Sequence, residues 1–330
     1  MEPVRFGCLG AARIVPNALV KPAKESAEAE VRAIAARDPA RAAVFAERHG
    51  IPVVHQTYEA VLADDDVDAV YNPLPNGLHA EWTLKALDAG KHVLCEKPFT
   101  ANAPEAERVA AAAERAGRVV MEAFHWRYHP LAARALEIIN SGELGEVRRV
   151  EAALCFPLFR RDDIRWQLDL AGGALMDAGC YPVHIVRTFA GRDPTVTQAT
   201  ARLRTPGVDR FVQAELSFGA GTTGRVTASM WSSSVLRSSA AVTGERGRMR
   251  ILNPIGPQVF NLVTVKSAKG TRRDRVRGGA TYSYQLAAFV GAVRRGVPPL
   301  TPPADSVANM RVIDDIYRAA GLEPRRGSSD

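Results

Sequence analysis

"FGCLGAARIV", residues 6 to 15, decides how the first third of the chain is read. An apolar run ends at Gly10 and a helical pattern begins within a few positions, so the segment reads as strand, tight turn, helix. Such a turn aims main-chain N–H groups and a helix N-terminus at one point, the arrangement that receives a pyrophosphate. As a fingerprint it is thin, because the second and third glycine positions of G-x-G-x-x-G fall on Ala12 and Val15. Repetition gives it weight. Apolar runs near 4–9, 31–36, 52–54, 67–72, 92–96 and 119–123 alternate with amphipathic helices, the pattern of a doubly wound parallel sheet. The punctuation agrees: Asp38 and Pro39 open a helix that Gly50 closes, Thr57 is placed to cap the next, Gly90 ends a helix beginning near Leu78, and Pro104 sits in the first turn of an Ala-rich helix ending at Gly117.

Beyond residue 124 the texture changes. A helix near 130–140 leads to a strand near 147–156, a helical stretch over 173–189, and period-two runs such as "FVQAELSF" (211–218) and "GRVTASMW" (224–231). Strands that follow one another without helices between them indicate an antiparallel or mixed sheet. Two helices, near 282–295 and 304–320, finish the pattern, and "EPRRGSSD" (323–330) reads as a frayed tail. The expectation is a Rossmann domain over 1–123 and an α+β domain over 124–330.

The chain has 330 residues, 46% of them hydrophobic, and a net charge of +7, enough to bury a sizeable core. Cys8, Cys95, Cys155 and Cys180 lie far apart with no C-x-x-C pair, so neither a metal site nor a disulfide framework is signalled and a cytoplasmic setting is expected. No apolar run reaches the length of a membrane helix, and "MEPVRFGCLG" enters a strand at once, without signal-peptide regions. The densest basic cluster, "KGTRRDRVRG" (269–278), reads as a solvated loop, since no nucleic-acid motif or aromatic interleaving accompanies it.

Candidate cofactor contacts gather at the expected carboxyl edge of the sheet. Gly10, Ala11, Ala12, Arg13 and Ile14 form the pyrophosphate turn. The second strand ends Ala36-Arg37, with Arg41 one helical turn on; a small neutral residue followed by guanidinium groups suits a 2′-phosphate, so NADP is favoured over NAD. The NAD alternative needs Asp38, also a helix cap, to turn toward a ribose. "YNPLPNGLH" (71–79) offers Pro73, Asn76 and His79 from a rigid loop.

"HVLCEKPF" (92–99) runs a buried strand straight into Glu96 and Lys97. Of the 43 basic residues only seven are lysine, so a lysine at this tip is informative. It can bridge a ribose hydroxyl and a substrate oxygen and stabilise charge developing there, with Glu96 as counter-ion. In "LAGGALMDAGCYPVHIVR" (170–187), Asp177 and Tyr181 are spaced i,i+4 with His184 one turn further. Tyrosine is a poor base at neutral pH, and a nearby ammonium such as Lys97 favours its phenolate. Pro182 begins or kinks the helix here. Tyr181 and His184, each taken alone, read as core residues before they read as catalytic ones. Arg127, Arg165, Trp166, Trp231 and Tyr282 are further candidate substrate contacts that read equally as packing.

These residues resemble the glucose-fructose oxidoreductase, inositol dehydrogenase and MocA family. Glu96-Lys97-Pro98 matches its E-K-P motif and Asp177 to Tyr181 its D-x-G-x-[HY] motif; "EAFHWRYHP" (122–130) and "TYSYQLAAF" (281–289) are similar to the branch of dihydrodiol dehydrogenases, NADP-linked xylose dehydrogenases and ketosugar reductases. The resemblance implies a second domain with an open, mostly antiparallel sheet that makes a homodimer or homotetramer contact. It also implies that Lys97 precedes a cis proline and bridges cofactor and substrate, with Tyr181 as acid/base and Asp177 beside it. His184 stands where many relatives have aspartate. The activity implied is hydride transfer between NADP(H) and a secondary alcohol or ketone of a sugar, sugar nucleotide or cyclic diol. The alternatives are the NAD-dependent glycosidase chemistry that the same family hosts and a non-catalytic NADP(H)-binding regulatory protein.

Overall fold

Six parallel strands and the helices between them carry the first half of the chain in the computed structural model, which describes residues 2–233 and 236–327. Their order is β3-β2-β1-β4-β5-β6, with β1 Val4–Leu9, β2 Ala29–Ala35, β3 Val53–Val54, β4 Ala69–Asn72, β5 His92–Cys95 and β6 Val120–Glu122. The reversal between β1 and β4 is the switch point at which open α/β sheets bind ligands. The connecting helices are α1 Lys21–Lys24, α2 Pro39–His49, α3 Tyr58–Leu62, α4 His79–Asp88 and α5 Ala103–Ala116. The expected caps are in place. Asp38 accepts from the N–H groups of Ala40 and Arg41 at the start of α2, Thr57 accepts from Ala60 at the start of α3, and Gly50 and Gly117 end α2 and α5 in the left-handed region, each side-chain cap stabilising its helix by about 1 kcal/mol.

The second half begins with α6 Pro130–Asn140 and the long β7 Val147–Cys155. A π-helical turn, Leu175–Gly179, runs directly into α7 Cys180–Ala190. Then come β8 Thr195–Thr205, β9 Val208–Ser217, β10 Thr223–Ser229, β11 Arg237–Gly244, β12 Gly247–Leu252, β13 Leu262–Ser267 and β14 Gly270–Asp274. They form an eight-stranded sheet, β14-β13-β12-β11-β7-β10-β9-β8, antiparallel except for β7 with β10. Period-two burial leaves one face open. Arg248 and Arg250 on β12, Lys266 on β13 and Arg273 on β14 line a shallow basin of about 480 Å³ there, while Arg149 and Arg225 pair with Glu215 further along the face. The basic run 269–278, expected as a loop, supplies β14, and its Arg272 is ion-paired to Glu143.

Contacts divide the chain into one unit of Met1–His125, Tyr282–Val307 and Gly327–Asp330, and a second of Trp126–Thr281 and Ala308–Arg326. The helix α8, Thr281–Arg295, therefore belongs almost wholly with the first unit, where Phe289 packs on Phe6 of β1 at 5.5 Å between ring centres. A single boundary near 123 misses this return, because an amphipathic helix does not announce which sheet its apolar face will cover. The last helix, α9 Pro303–Ala319, contributes residues to both units. Among the described residues no helix is long and apolar enough to cross a membrane, and no group of three or more His, Cys, Asp or Glu side chains could hold a metal ion.

Candidate active site

In the first unit the rim is built from the carboxyl ends of β1, β4 and β5. Gly10 follows β1 with φ +107°, a conformation that costs most side chains dearly. Its N–H donates to the Ala35 carbonyl at 2.7 Å, and its carbonyl accepts from the Cys8 thiol at 3.3 Å. A Cβ here would lie 3.9 Å from the Tyr58 hydroxyl, so the turn, the tip of β2 and Tyr58 border one space. Arg41 reaches back to donate to the Ala11 carbonyl at 2.6 Å. The Asp38 carboxylate is engaged in capping α2, which leaves the exposed guanidinium of Arg37 as the charge at the end of β2. These residues fit a nicotinamide dinucleotide carrying a 2′-phosphate: a main-chain cradle for the pyrophosphate and two cations beyond it. Tyr58 was not anticipated from sequence, and nothing in its local pattern separates it from an ordinary first-turn tyrosine.

The loop after β4 is tied down by Asn72. Its buried amide donates to the His79 carbonyl and the Thr83 hydroxyl, and its Oδ1 accepts from Leu74 N–H. His79, expected as a cofactor contact, has both ring nitrogens on main-chain carbonyls, Nδ1 on Pro98 and Nε2 on Leu74, each at 2.7 Å. Burial pushes its imidazole down to about 4 against the two carbonyls, which favour the charged ring, and the Lys97 charge acts with burial; the neutral ring donates to one of the two carbonyls and sits against the other. It therefore braces the Pro98 segment, and neither nitrogen is left over for a ligand.

Lys97 and Pro98 are joined by a cis peptide bond, as the resemblance implied. The preceding Glu96 carboxylate accepts from the buried Tyr71 hydroxyl at 2.8 Å and from the Lys97 N–H at 3.3 Å. Burial, with the Glu96 charge adding to it, holds the Tyr71 phenol far above the tyrosine range, so it acts as a donor. Tyr282 stacks on His125 with 4.3 Å between ring centres. Burial raises the Tyr282 phenol, with Glu96 raising it further and Lys97 opposing. Burial, then the Lys97 charge, takes the His125 imidazole down to about 3. Tyr282, expected as a substrate contact on the second domain, thus stands with the Lys97 tip.

In the second unit, Asp177 lies on the π-helical turn and Tyr181 at the start of α7, nine-tenths buried. Pro182 lacks the N–H that would bond back to Ala178 in a regular helix, consistent with the wider turn before it. Arg165 reaches Asp177 from Nη1 at 3.4 Å and grips Asp163 through Nε and Nη2 at 2.9 and 3.1 Å. His184 accepts from the Trp126 indole N–H at Nδ1, 3.1 Å, with the rings edge to face. Asn309 donates to the Cys180 carbonyl at 3.4 Å. Trp166, expected to touch substrate, instead packs with Leu158, Ala174, Ala178, Val208 and Met230 under the Arg204 guanidinium. Trp231 is half exposed and meets Phe159 edge to face. Arg127 is half-buried in the 3₁₀ turn His125–Tyr128.

The model of an oxidoreductase family with an NAD-binding Rossmann fold matches residues 4–124, and that of the GFO/IDH/MocA C-terminal domain matches residues 132–250. The chain belongs to the GFO/IDH/MocA oxidoreductase family. Among members of this family, a D-xylose 1-dehydrogenase (NADP(+)) of Haloferax volcanii is 41% identical over 316 residues, 96% of this chain and 97% of its own. A trans-1,2-dihydrobenzene-1,2-diol dehydrogenase of Oryctolagus cuniculus is 32% identical over 306 residues, 89% of this chain and 92% of its own. The crystal structure of a 3-ketoreductase from Actinomadura kijaniata with NADP and TDP-benzene superposes with a TM-score of 0.90 at 33% identity, covering 96% of this chain and 98% of that one.

Proposed function

We propose that this family member transfers a hydride between NADP(H) and a secondary alcohol or ketone of a sugar, sugar nucleotide or cyclic diol. The observation that carries the reading is the tip of β5: a lysine held at the carboxyl edge of a parallel sheet by the Tyr71–Glu96 bond and the His79–Pro98 brace. Arg37 and Arg41, with Asp38 engaged as a cap, support NADP over NAD. The substrate class follows the relatives: one named for D-xylose, one for a cyclic diol, and a 3-ketoreductase crystallised in complex with NADP and TDP-benzene.

When bound, the nicotinamide gives or takes the hydride at the carbinol carbon. In the reductive direction the Tyr181 phenol gives its proton to the carbonyl oxygen while the Lys97 ammonium stabilises the negative charge gathering there. Oxidation returns that proton to Tyr181, and Lys97 favours the phenolate that must accept it. Asp177 acts through Arg165, fixing where substrate hydroxyls are received; Arg127, His184, Trp231 and Tyr282 are the further substrate contacts in this proposal. In this reading residues 1–123 with the returning helix α8 are the dinucleotide-binding domain, and the rest of 124–330 is the substrate-binding and oligomerisation domain. The open sheet face pairs two or four copies, and the enzyme works in the cytoplasm. The test is Tyr181→Phe assayed by absorbance of reduced cofactor with D-xylose, a cyclic diol and a ketosugar. Loss of kcat by about 10²- to 10⁴-fold with NADPH binding retained is the expected outcome; normal turnover overturns the assignment.

A further inference from the structure

The second unit holds a buried ionic cluster that this chemistry does not use. Asp209, on β9, has no exposed surface, and its carboxylate accepts from three separate stretches of chain. The Leu175 N–H donates to Oδ2 at 2.7 Å, the Tyr317 hydroxyl to Oδ1 at 3.1 Å, and Arg325 Nη2 to Oδ1 at 2.5 Å. Arg325 lies beyond α9 in the tail expected to be frayed, yet it is 3% exposed. Its guanidinium stacks on the Tyr317 ring at 4.1 Å, and its Nε donates to the Gly172 carbonyl at 2.7 Å. Gly172 and Leu175 bracket the entry to the π-helical turn. Gly173 between them has φ +132°, and a Cβ there would fall 2.2 Å from Asp209 Oδ1, so the carboxylate fills the place a side chain would take.

A buried ion pair is a poor way to gain stability, since well-packed apolar residues serve as well or better. What this one does locally is specific. Leu175 N–H is among the donors that a helix start leaves unpaired, and a negative charge there complements the helix dipole. The clamp thus fixes where the helical segment begins, and Asp177 and Tyr181 follow within its first two turns. We propose that Arg325 is a positioning residue for the Tyr181 phenol, acting through Asp209 and Gly172 to set the start of the segment that carries it. The proposal rests on the reading of Tyr181 as acid/base. Displacing a reacting group by about 1 Å can cost on the order of 10²-fold.

Arg325→Ala, Arg325→Lys and Tyr181→Phe in the full chain test it, with kcat, KM and NADPH binding measured for each. Arg325→Ala should lower kcat by about 10- to 100-fold with NADPH affinity unchanged, and millimolar guanidinium should restore part of the loss, which a general loosening of the fold would not allow. Arg325→Lys keeps a charge against Asp209 but lacks the planar fork that also reaches Gly172. It should stay folded and lose roughly three- to tenfold in kcat, so it decides the matter if the alanine variant does not fold. Wild-type kcat in folded Arg325→Lys, or no guanidinium rescue of a folded Arg325→Ala, overturns the proposal, and an inactive Tyr181→Phe beside that result leaves the acid/base reading standing. Normal turnover of Tyr181→Phe overturns both.

Discussion

The two regions that carry the candidate residues are braced by opposite means. At the Lys97 tip the braces are close in sequence: Tyr71, Leu74, His79, Glu96 and Pro98 come from two neighbouring strand ends and the loop between them. At the Tyr181 segment they come from far away: Trp126, Asp209, Asn309 and Arg325 each belong to a different stretch of chain. A doubly wound sheet delivers its functional loops to one edge by topology alone. A segment laid on a mixed sheet has no such default, so its position is fixed by tertiary side-chain contacts.

The largest expected effect that sharpens this contrast is acid sensitivity of the first region. His79 and His125 are buried there with imidazoles at about 4 and about 3, below the ordinary value of about 6.5. Between those limits the unfolded chain binds protons that the native chain does not. Stability is therefore full above about pH 6.5 and falls as pH drops toward 4, by up to about 3 kcal/mol per pH unit for the pair. Urea unfolding at pH 7, 6 and 5 reads this slope, and substituting His79 by Gln should reduce it; a flat profile contradicts the neutral, buried assignment.

A smaller effect separates two arginines. Arg37→Ala should weaken NADPH binding by roughly 10- to 100-fold and leave NADH nearly unchanged, because only the 2′-phosphate contact is lost. Arg41→Ala should weaken both cofactors, since Arg41 also holds the Ala11 carbonyl in the pyrophosphate turn. Titration of cofactor fluorescence distinguishes them, and equal losses for NADPH and NADH in Arg37→Ala would remove the assignment of the 2′-phosphate to that residue.

The same contrast explains what the sequence disclosed. Strand β1 and Gly10, the Asp38 and Thr57 caps, and Lys97 at a strand tip all rest on short-range rules of periodicity and capping, and all stand where expected. The i,i+4 spacing of Asp177 and Tyr181 places both on one helical segment, and the disturbance that Pro182 announces takes the form of a π-helical turn ahead of it. Trp166, open in the sequence between substrate contact and packing, packs, and its apolar partners lie on strands remote in sequence. Arg325 was illegible for the same reason. Nothing near it signals Asp209, and only the fold brings the two together.

The central claim is that Lys97 and Tyr181 act on one oxygen, and a double-mutant cycle on kcat with Lys97→Met and Tyr181→Phe tests it most directly. If both groups serve the same oxygen, the two losses are strongly non-additive, and the double variant is about as slow as the slower single variant. Losses that simply multiply would contradict it.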